Sequence, residues 1–526
     1  MQTGLGIRIG AALVLAGLCG APAPAAAQTP AEELAREAEM QTGPAAGTPA
    51  AAAFSIRRVI AGPSAYLPRD EVEAVARGLE RRGLTSADIA EVLAAFDGLY
   101  DARGIALAQA VVGGTSARDG RVEIAFVEAR VGQLRPQGNL ASPEIYRARI
   151  GLRPGDLADN RVLEDRLLRL AILTGIRADV AFSPGEQPGF TDVTIRLDEP
   201  PRRAVVVTLD SHGSAATGRF RATLAYSDAS LSGRLDPFAA SLTLAEGLAS
   251  GALRYGFPLN DDGTSGFAAL SAERSRNISG PEVRGRNALF ELGLSHPLSI
   301  TLDRQVILRG SVFAFDDRRS TAGVQTTRQS GGGVLLTAGL SQDLGNETRL
   351  GIEAGLRHVG WRDGVLGLSG LATTYLTADA SLDMPLGSGT ALSLRGGAQA
   401  VRGAEAPAQF RGSLTTASRV RGYPSGQLAG DAHVWASVQL RARRPVSLGA
   451  DLIAVPYGFV DAARGWDRTG GVTTLQGTAV SAGLGTGIGI GQKGSADLVL
   501  ARPLRDLPGF TARGKWRLDA SISARF

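Results

Sequence analysis

Residues 203–526 are written almost entirely in period two, and few folds accept that pattern over such a length. In 349–357, Leu350, Ile352, Ala354 and Leu356 alternate with Arg349, Gly351, Glu353, Gly355 and Arg357. In 433–443, Val434, Ala436, Val438, Leu440 and Ala442 alternate with His433, Trp435, Ser437, Gln439, Arg441 and Arg443. In 515–526, Trp516, Leu518, Ala520, Ile522, Ala524 and Phe526 alternate with polar neighbours. Successive side chains of a strand point to opposite faces, so each segment has one apolar and one charged face. A soluble antiparallel sheet wetted on one side gives the same alternation. The number of segments separates the two. About sixteen fit, at roughly 20 residues per strand plus connection, which is the spacing of an outer-membrane barrel with a polar lumen. In lipid only closure leaves no strand edge unpaired, and about sixteen strands enclose an aqueous channel. The phase turns Trp435 inward and sets Phe526 on the lipid side of the last strand.

The preceding chain has a different texture. Residues 1–27 carry Arg8, an apolar core and small residues before Gln28, the pattern of a secretory signal. Cys19, the only cysteine, lies inside that signal and follows Leu18, whereas a lipidation signal wants a small residue there. Once the signal is removed, neither a disulfide nor a thiolate metal site is expected. Residues 29–41 form one short helix pattern, with Thr29 as cap, Pro30 in the first turn and Glu32 completing a capping box. A Pro-, Gly- and Ala-rich linker completes 28–53. From 54 to 200 a β-α-α-β-β pattern occurs twice, as 54–127 and 128–200, each of about 70 to 75 residues, a size at which one small core is feasible. Their arginines (Arg57, Arg58, Arg135, Arg147, Arg149, Arg166) read as solvated faces.

The net charge of +5 is mild and evenly spread, so nucleic acid is not an expected partner. The four histidines, His212, His296, His358 and His433, are widely separated, and neither H-E-x-x-H nor G-x-S-x-G occurs. The G-x-G-x-x-G match at 489–494 sits between two strand-like segments and is a glycine-rich hairpin. No catalytic residues are visible, and no enzyme activity, cofactor or metal is expected.

One connection stands apart. Residues 403–432, between the eleventh and twelfth segments, are about 30 long, too many for a structureless loop without a function. They contain SRVRGYPSGQLAGD at 418–431, whose Gly422, Gly426 and Gly430 suit tight turns. Folded into a wide lumen, its arginines could meet inward carboxylates. VRGY, that is Val420, Arg421, Gly422 and Tyr423, resembles the signature of the inward-folded loop in outer-membrane proteins that join POTRA modules to a sixteen-stranded barrel. With two POTRA-like modules, a tethered helix and a terminal Phe, the chain most resembles the two-partner-secretion transporters, the TpsB family that exports haemolysins and filamentous haemagglutinins. That family's second motif, Phe-x-Asp-x-Gly on a barrel strand, is matched by Phe459 and Asp461 on the thirteenth segment, with Ala463 where the family has Gly. The departure at Ala463 leaves less room for close backbone approach.

The resemblance implies an α+β periplasmic part followed by a sixteen-stranded transmembrane barrel in the Gram-negative outer membrane. It implies a secreted passenger exoprotein as partner, outer-membrane lipid as surroundings, a monomeric barrel, and an Arg421–Asp461 pair that locks the loop. Two alternatives share parts of the pattern: an outer-membrane assembly insertase of the same superfamily, and a general porin. The resemblance also makes the helix in 28–53 a removable plug. Deleting 28–53 is therefore expected to raise single-channel conductance in planar bilayers, and an unchanged conductance would exclude a plug.

Overall fold

The computed structural model describes residues 54–403, 405–469, 472–510 and 512–526. The signal (1–27) and the helix and linker expected over 28–53 lie outside the described residues. The chain divides into two compact units at Glu199/Pro200.

The first unit repeats one pattern twice. Its first half is β1 (Arg58–Ala61), α1 (Arg69–Glu80), α2 (Ile89–Asp101), β2 (Ala108–Ser116) and β3 (Arg121–Glu128). The sheet order is β1-β3-β2, with β1 parallel to β3. Val72, Ala76 and Leu79 of α1, and Val92, Phe96 and Tyr100 of α2, recur every three or four residues. That spacing makes a single stripe on each helix, and both stripes bury against Val59, Val122 and Ile124 of the sheet. A capping box starts the second helical stretch: the Asp88 carboxylate accepts the Thr85 amide at 2.8 Å, while Thr85 Oγ1 accepts the Ala87 amide.

The second half is β4 (Arg130–Gln137), α3 (Pro143–Ile150), α4 (Asn160–Thr174), β5 (Arg177–Pro184) and β6 (Phe190–Asp198), with sheet order β4-β6-β5. Pro143 occupies the start of α3, where a missing N–H costs nothing, and Asp159 caps α4 by accepting the Arg161 amide. The halves also repeat a chemical device that no sequence pattern announces. Glu128, closing β3, accepts the Ala65 amide at 2.9 Å and the Tyr100 hydroxyl at 2.9 Å. Glu199, just past β6, accepts the Asn139 amide at 2.8 Å and the Tyr146 hydroxyl. Each carboxylate thus holds the turn after the first strand onto the end of the third. Each sheet leaves its antiparallel outer strand, β2 or β5, with one unpaired edge among the described residues.

The second unit is a closed antiparallel barrel of sixteen strands. It closes where the first strand (Arg203–Asp210) meets the last (Arg517–Arg525), with Asp210 opposite Ser521 and Val206 opposite Arg525. The twelfth strand is drawn in two pieces, Ala432–Ala442 and Val446–Gly449, that pair with the same neighbour, Leu452–Thr469, so it counts once. The alternation turns out as the period-two reading requires: Val434, Val438 and Leu440 are exposed on the outer face while His433, Trp435 and Ser437 are buried inside. Phe526 pairs through its backbone with Val205 and exposes its ring outward.

The Glu128 device is testable in isolation. Glu128→Ala leaves the Ala65 amide without its acceptor and the buried Tyr100 hydroxyl with only Ser64 Oγ at 3.2 Å, at a cost of about 1–3 kcal/mol. Hydrogen exchange on the full chain should show protection falling at Ala65 and in α2 while α4 is unchanged.

Candidate functional site

The connection turns back into the barrel over its described residues 405–431. It meets inward-facing residues on all nine consecutive strands from the seventh to the fifteenth, a span reachable only from within the lumen. Its hairpin begins earlier than the 418–431 stretch suggests: Gly412–Ser413 pair with Ala429–Gly430, and the Leu414 amide donates to the Leu428 carbonyl at 2.8 Å. The glycines divide the work differently from the expectation of three tight turns. Gly422 (φ 85°) and Gly426 (φ 79°) are left-handed. Gly430 is extended and serves close approach instead, since a Cβ there would stand 2.9 Å from the Trp466 amide nitrogen.

Within the polar lumen the hairpin carries its own apolar core. Leu414, Val420 and Leu428 are at most 2% exposed and pack with Tyr423, Trp435, Ala463, Ala479 and Leu507. Ala463, where the resemblance leads one to expect Gly, places its methyl in this cluster. Tyr423 carries its hydroxyl to 2.8 Å from the Arg505 carbonyl and accepts the Val480 amide at 3.3 Å. It thereby ties the hairpin tip to the fourteenth strand (Val472–Ile490) and to the connection before the last strand.

Arg421 and Asp461 are brought into direct contact. Arg421 Nε donates to Asp461 Oδ2 and Nη2 to Oδ1, both at 2.8 Å, a bidentate fork, and the Arg421 amide adds a third bond at 3.1 Å. The remaining guanidinium hydrogens reach Gln439 Oε1 (2.8 Å) and Ser437 Oγ (3.2 Å), and Ser437 donates to Asp461 at 2.7 Å. Phe459, two residues before Asp461 on the same face of the thirteenth strand, lies under the guanidinium at 3.5 Å from its centroid. Asp461 is fully buried and the Arg421 side chain nearly so. A charge so desolvated is tolerable because its partner and hydrogen bonds are all in place. Val420 and Gly422 flank the pair: Val420 is fully buried, and a Cβ on Gly422 would lie 2.9 Å from the Ala501 Cβ.

The root of the loop is anchored separately, at residues the sequence did not single out. Phe410 sits in an aromatic socket, its ring centroid 5.5 Å from Phe313, 5.1 Å from Phe315 and 6.0 Å from Tyr375, with the Arg357 guanidinium 4.9 Å from its face. Gln329 accepts the Ala408 amide at 2.9 Å, and Gln399 donates to the Phe410 and Asp431 carbonyls. Arg411 pairs with Asp431 and Asp467. Ser437, Gln439 and Gln399 belong to the inward polar set that alternation exposes, so their face was readable and their partner was not. Phe410 lies in a connection, where no periodicity marks it.

The arrangement is mechanical: a folded hairpin held across a pore by one buried ion pair at its tip and one aromatic socket at its root. Replacing Phe410 by Ala removes the socket's centre at about 3–5 kcal/mol while the Arg421–Asp461 geometry remains. Limited proteolysis of the intact barrel in detergent is expected to cut 404–411 in this variant before it cuts 418–427.

No family model matches the chain. The heme/hemopexin transporter protein HuxB of Haemophilus influenzae is 22% identical over 156 residues, 29% of this chain and 27% of that protein. The chain thus matches about a quarter of the length of its curated relatives. In structure, CdiB from Escherichia coli superposes with a TM-score of 0.70 over 94% of this chain and 97% of that one, at 16% identity. CdiB from Acinetobacter baumannii gives 0.63 over 94% and 97% at 14% identity. BamA from Haemophilus ducreyi lacking POTRA domains 1–3 gives 0.53 over 90% and 100% at 14% identity.

Proposed function

We propose that this chain, which has the fold shared by CdiB and BamA, the POTRA-plus-barrel fold of the Gram-negative outer membrane, is a two-partner-secretion pore that exports an unfolded passenger exoprotein. The observation that carries the reading is the hairpin 412–430, seated in the lumen by the buried Arg421–Asp461 pair. A sixteen-stranded bore is wide enough for an extended chain only if whatever occupies it can move.

The modules of 54–199 act as the receptor. Each offers the free edge of an antiparallel strand, β2 or β5, to which an extended segment adds through main-chain hydrogen bonds, giving affinity with little demand on sequence. The modules lie in the periplasm, where the passenger arrives unfolded. The inward Ser, Gln, Asp and Arg side chains of the barrel then replace water along its path. Val420, Arg421, Gly422, Tyr423, Phe459 and Asp461 act as a latch that keeps the hairpin registered on the twelfth to fourteenth strands. The superposition on CdiB, better than that on BamA, supports a secretion pore over an assembly insertase. A plain porin would have no use for modules with open edges.

The latch is tested by charge exchange. Arg421→Ala or Asp461→Ala strands one buried charge, which costs about 3–5 kcal/mol, and each is expected to lower export of the cognate passenger several-fold. The pair Arg421→Asp with Asp461→Arg restores attraction and is expected to recover part of it. Wild-type export by both single variants would remove the latch from the mechanism.

A further inference from the structure

Four arginines stand side by side on the outer surface of the barrel, on four consecutive strands. In the strand register Arg274 of the fifth strand (Ser265–Arg276) is opposite Arg286 of the sixth (Val283–Ile300). Arg286 is opposite Arg318 of the seventh (Arg304–Thr321), and Arg318 is opposite Arg328 of the eighth (Val324–Asp343). Arg276 faces Arg284 one step nearer the rim, and Arg362 stands one step below the row, on the ninth strand beside Ser330. All share the exposed face with Leu270, Phe290, Val312 and Leu336.

Like charges directly opposite on neighbouring strands, about 4.8 Å apart, repel. Only two carboxylates answer them: Asp316 pairs with Arg318 at 2.8 Å and Glu282 with Arg284 at 2.6 Å. Arg274, Arg276, Arg286 and Arg328 have no carboxylate partner among the described residues. Outward arginines near the same rim elsewhere are single, and two of them, Arg464 and Arg502, lie over the rings of Trp466 and Trp516. The concentration on strands five to nine is therefore particular to that sector.

Its height is particular too. An even number of strands returns both chain ends to one rim, and the arginines lie at the other. Along the sixth strand the outward residues from Leu298 to Ala288 are apolar apart from His296, which bonds Thr264. The ten residue steps from Leu298 to Ala288 are about 33 Å of strand, or about 25 Å along the membrane normal at a barrel's tilt, the height of a bilayer-facing band. Arg286 is the next outward residue. The row thus lies where the hydrocarbon ends and headgroups begin, in the leaflet at the rim opposite the one where the barrel's first strand starts and its last strand ends.

We propose that this sector is a binding site for an anionic lipid whose headgroup carries at least two phosphates. Guanidinium groups grip phosphate bidentately, an anion removes the repulsion within the row, and acyl chains continue onto the apolar band directly below. The proposal rests on the membrane-spanning barrel and not on secretion, so a failure of export would leave it intact.

The test uses the full chain in a zwitterionic detergent and titrates a bis-phosphorylated glucosamine lipid, the same lipid dephosphorylated, and inorganic phosphate. Wild type is expected to prefer the bis-phosphorylated lipid. The variant Arg274→Gln/Arg286→Gln/Arg328→Gln should bind it at least about tenfold more weakly, while Arg402→Gln/Arg464→Gln/Arg502→Gln binds like wild type. Without lipid, relief of repulsion should leave the first variant's melting temperature equal or higher. Arg286→Gln alone, at the centre of the row, carries the same comparison should the triple variant fail to fold. Equal lipid affinity in the row variants, equal binding of the dephosphorylated lipid, competition by inorganic phosphate alone, or a lower melting temperature in the row variant that folds would each overturn the proposal.

Discussion

Closure of the sheet is the constraint from which the rest follows. Inside hydrocarbon an unpaired backbone N–H or C=O has no water to turn to, and the pairing of 206–210 with 521–525 removes the last open edge. A closed wall of alternating residues must then be apolar outside and polar inside along its whole height. Sixteen strands make the inside too wide for wall side chains to fill. The vacancy is a consequence of closure, and the long connection, described over 405–431, is what the chain places in it.

A segment folded into a wet bore faces opposing demands: it must hold its position, yet its surroundings favour polar, hydrated chain. The hairpin meets the first with a small dry core of Leu414, Val420 and Leu428 against Trp435, Ala463 and Leu507. It meets the second with a satisfied charge pair at the tip. These two contributions differ in kind. Apolar packing tolerates small shifts, whereas a bidentate ion pair holds one geometry and fails outright when that geometry is lost. The Phe410 socket, with three aromatic rings and a cation, holds the root through contacts of the forgiving type. Tip and root are therefore held by separable sets of contacts.

The outer face obeys the same logic from the lipid side. The apolar band ends on the sixth strand at Ala288, and the arginine rows begin with the next outward residue. Asp316 and Glu282 answer only two of the arginines, so the rest of the row depends on what lies outside the protein at this height.

Alternation, a local property of period two, made the barrel, its strand count, the inward phase of Trp435 and the outward phase of Phe526 legible in the sequence. The two β-α-α-β-β patterns were legible for the same reason, since helical stripes such as Val92, Phe96 and Tyr100 show in a short window. Arg421 and Asp461 were reached through resemblance, because a contact between residues 40 apart leaves no periodic trace. The Phe410 socket, the Glu128 and Glu199 clamps, the extended backbone of Gly430 and the alignment of Arg274, Arg286, Arg318 and Arg328 were decided by the tertiary structure alone. Each depends on strand register or on where a connection is laid down, and register is a relation between distant segments that neither segment encodes by itself.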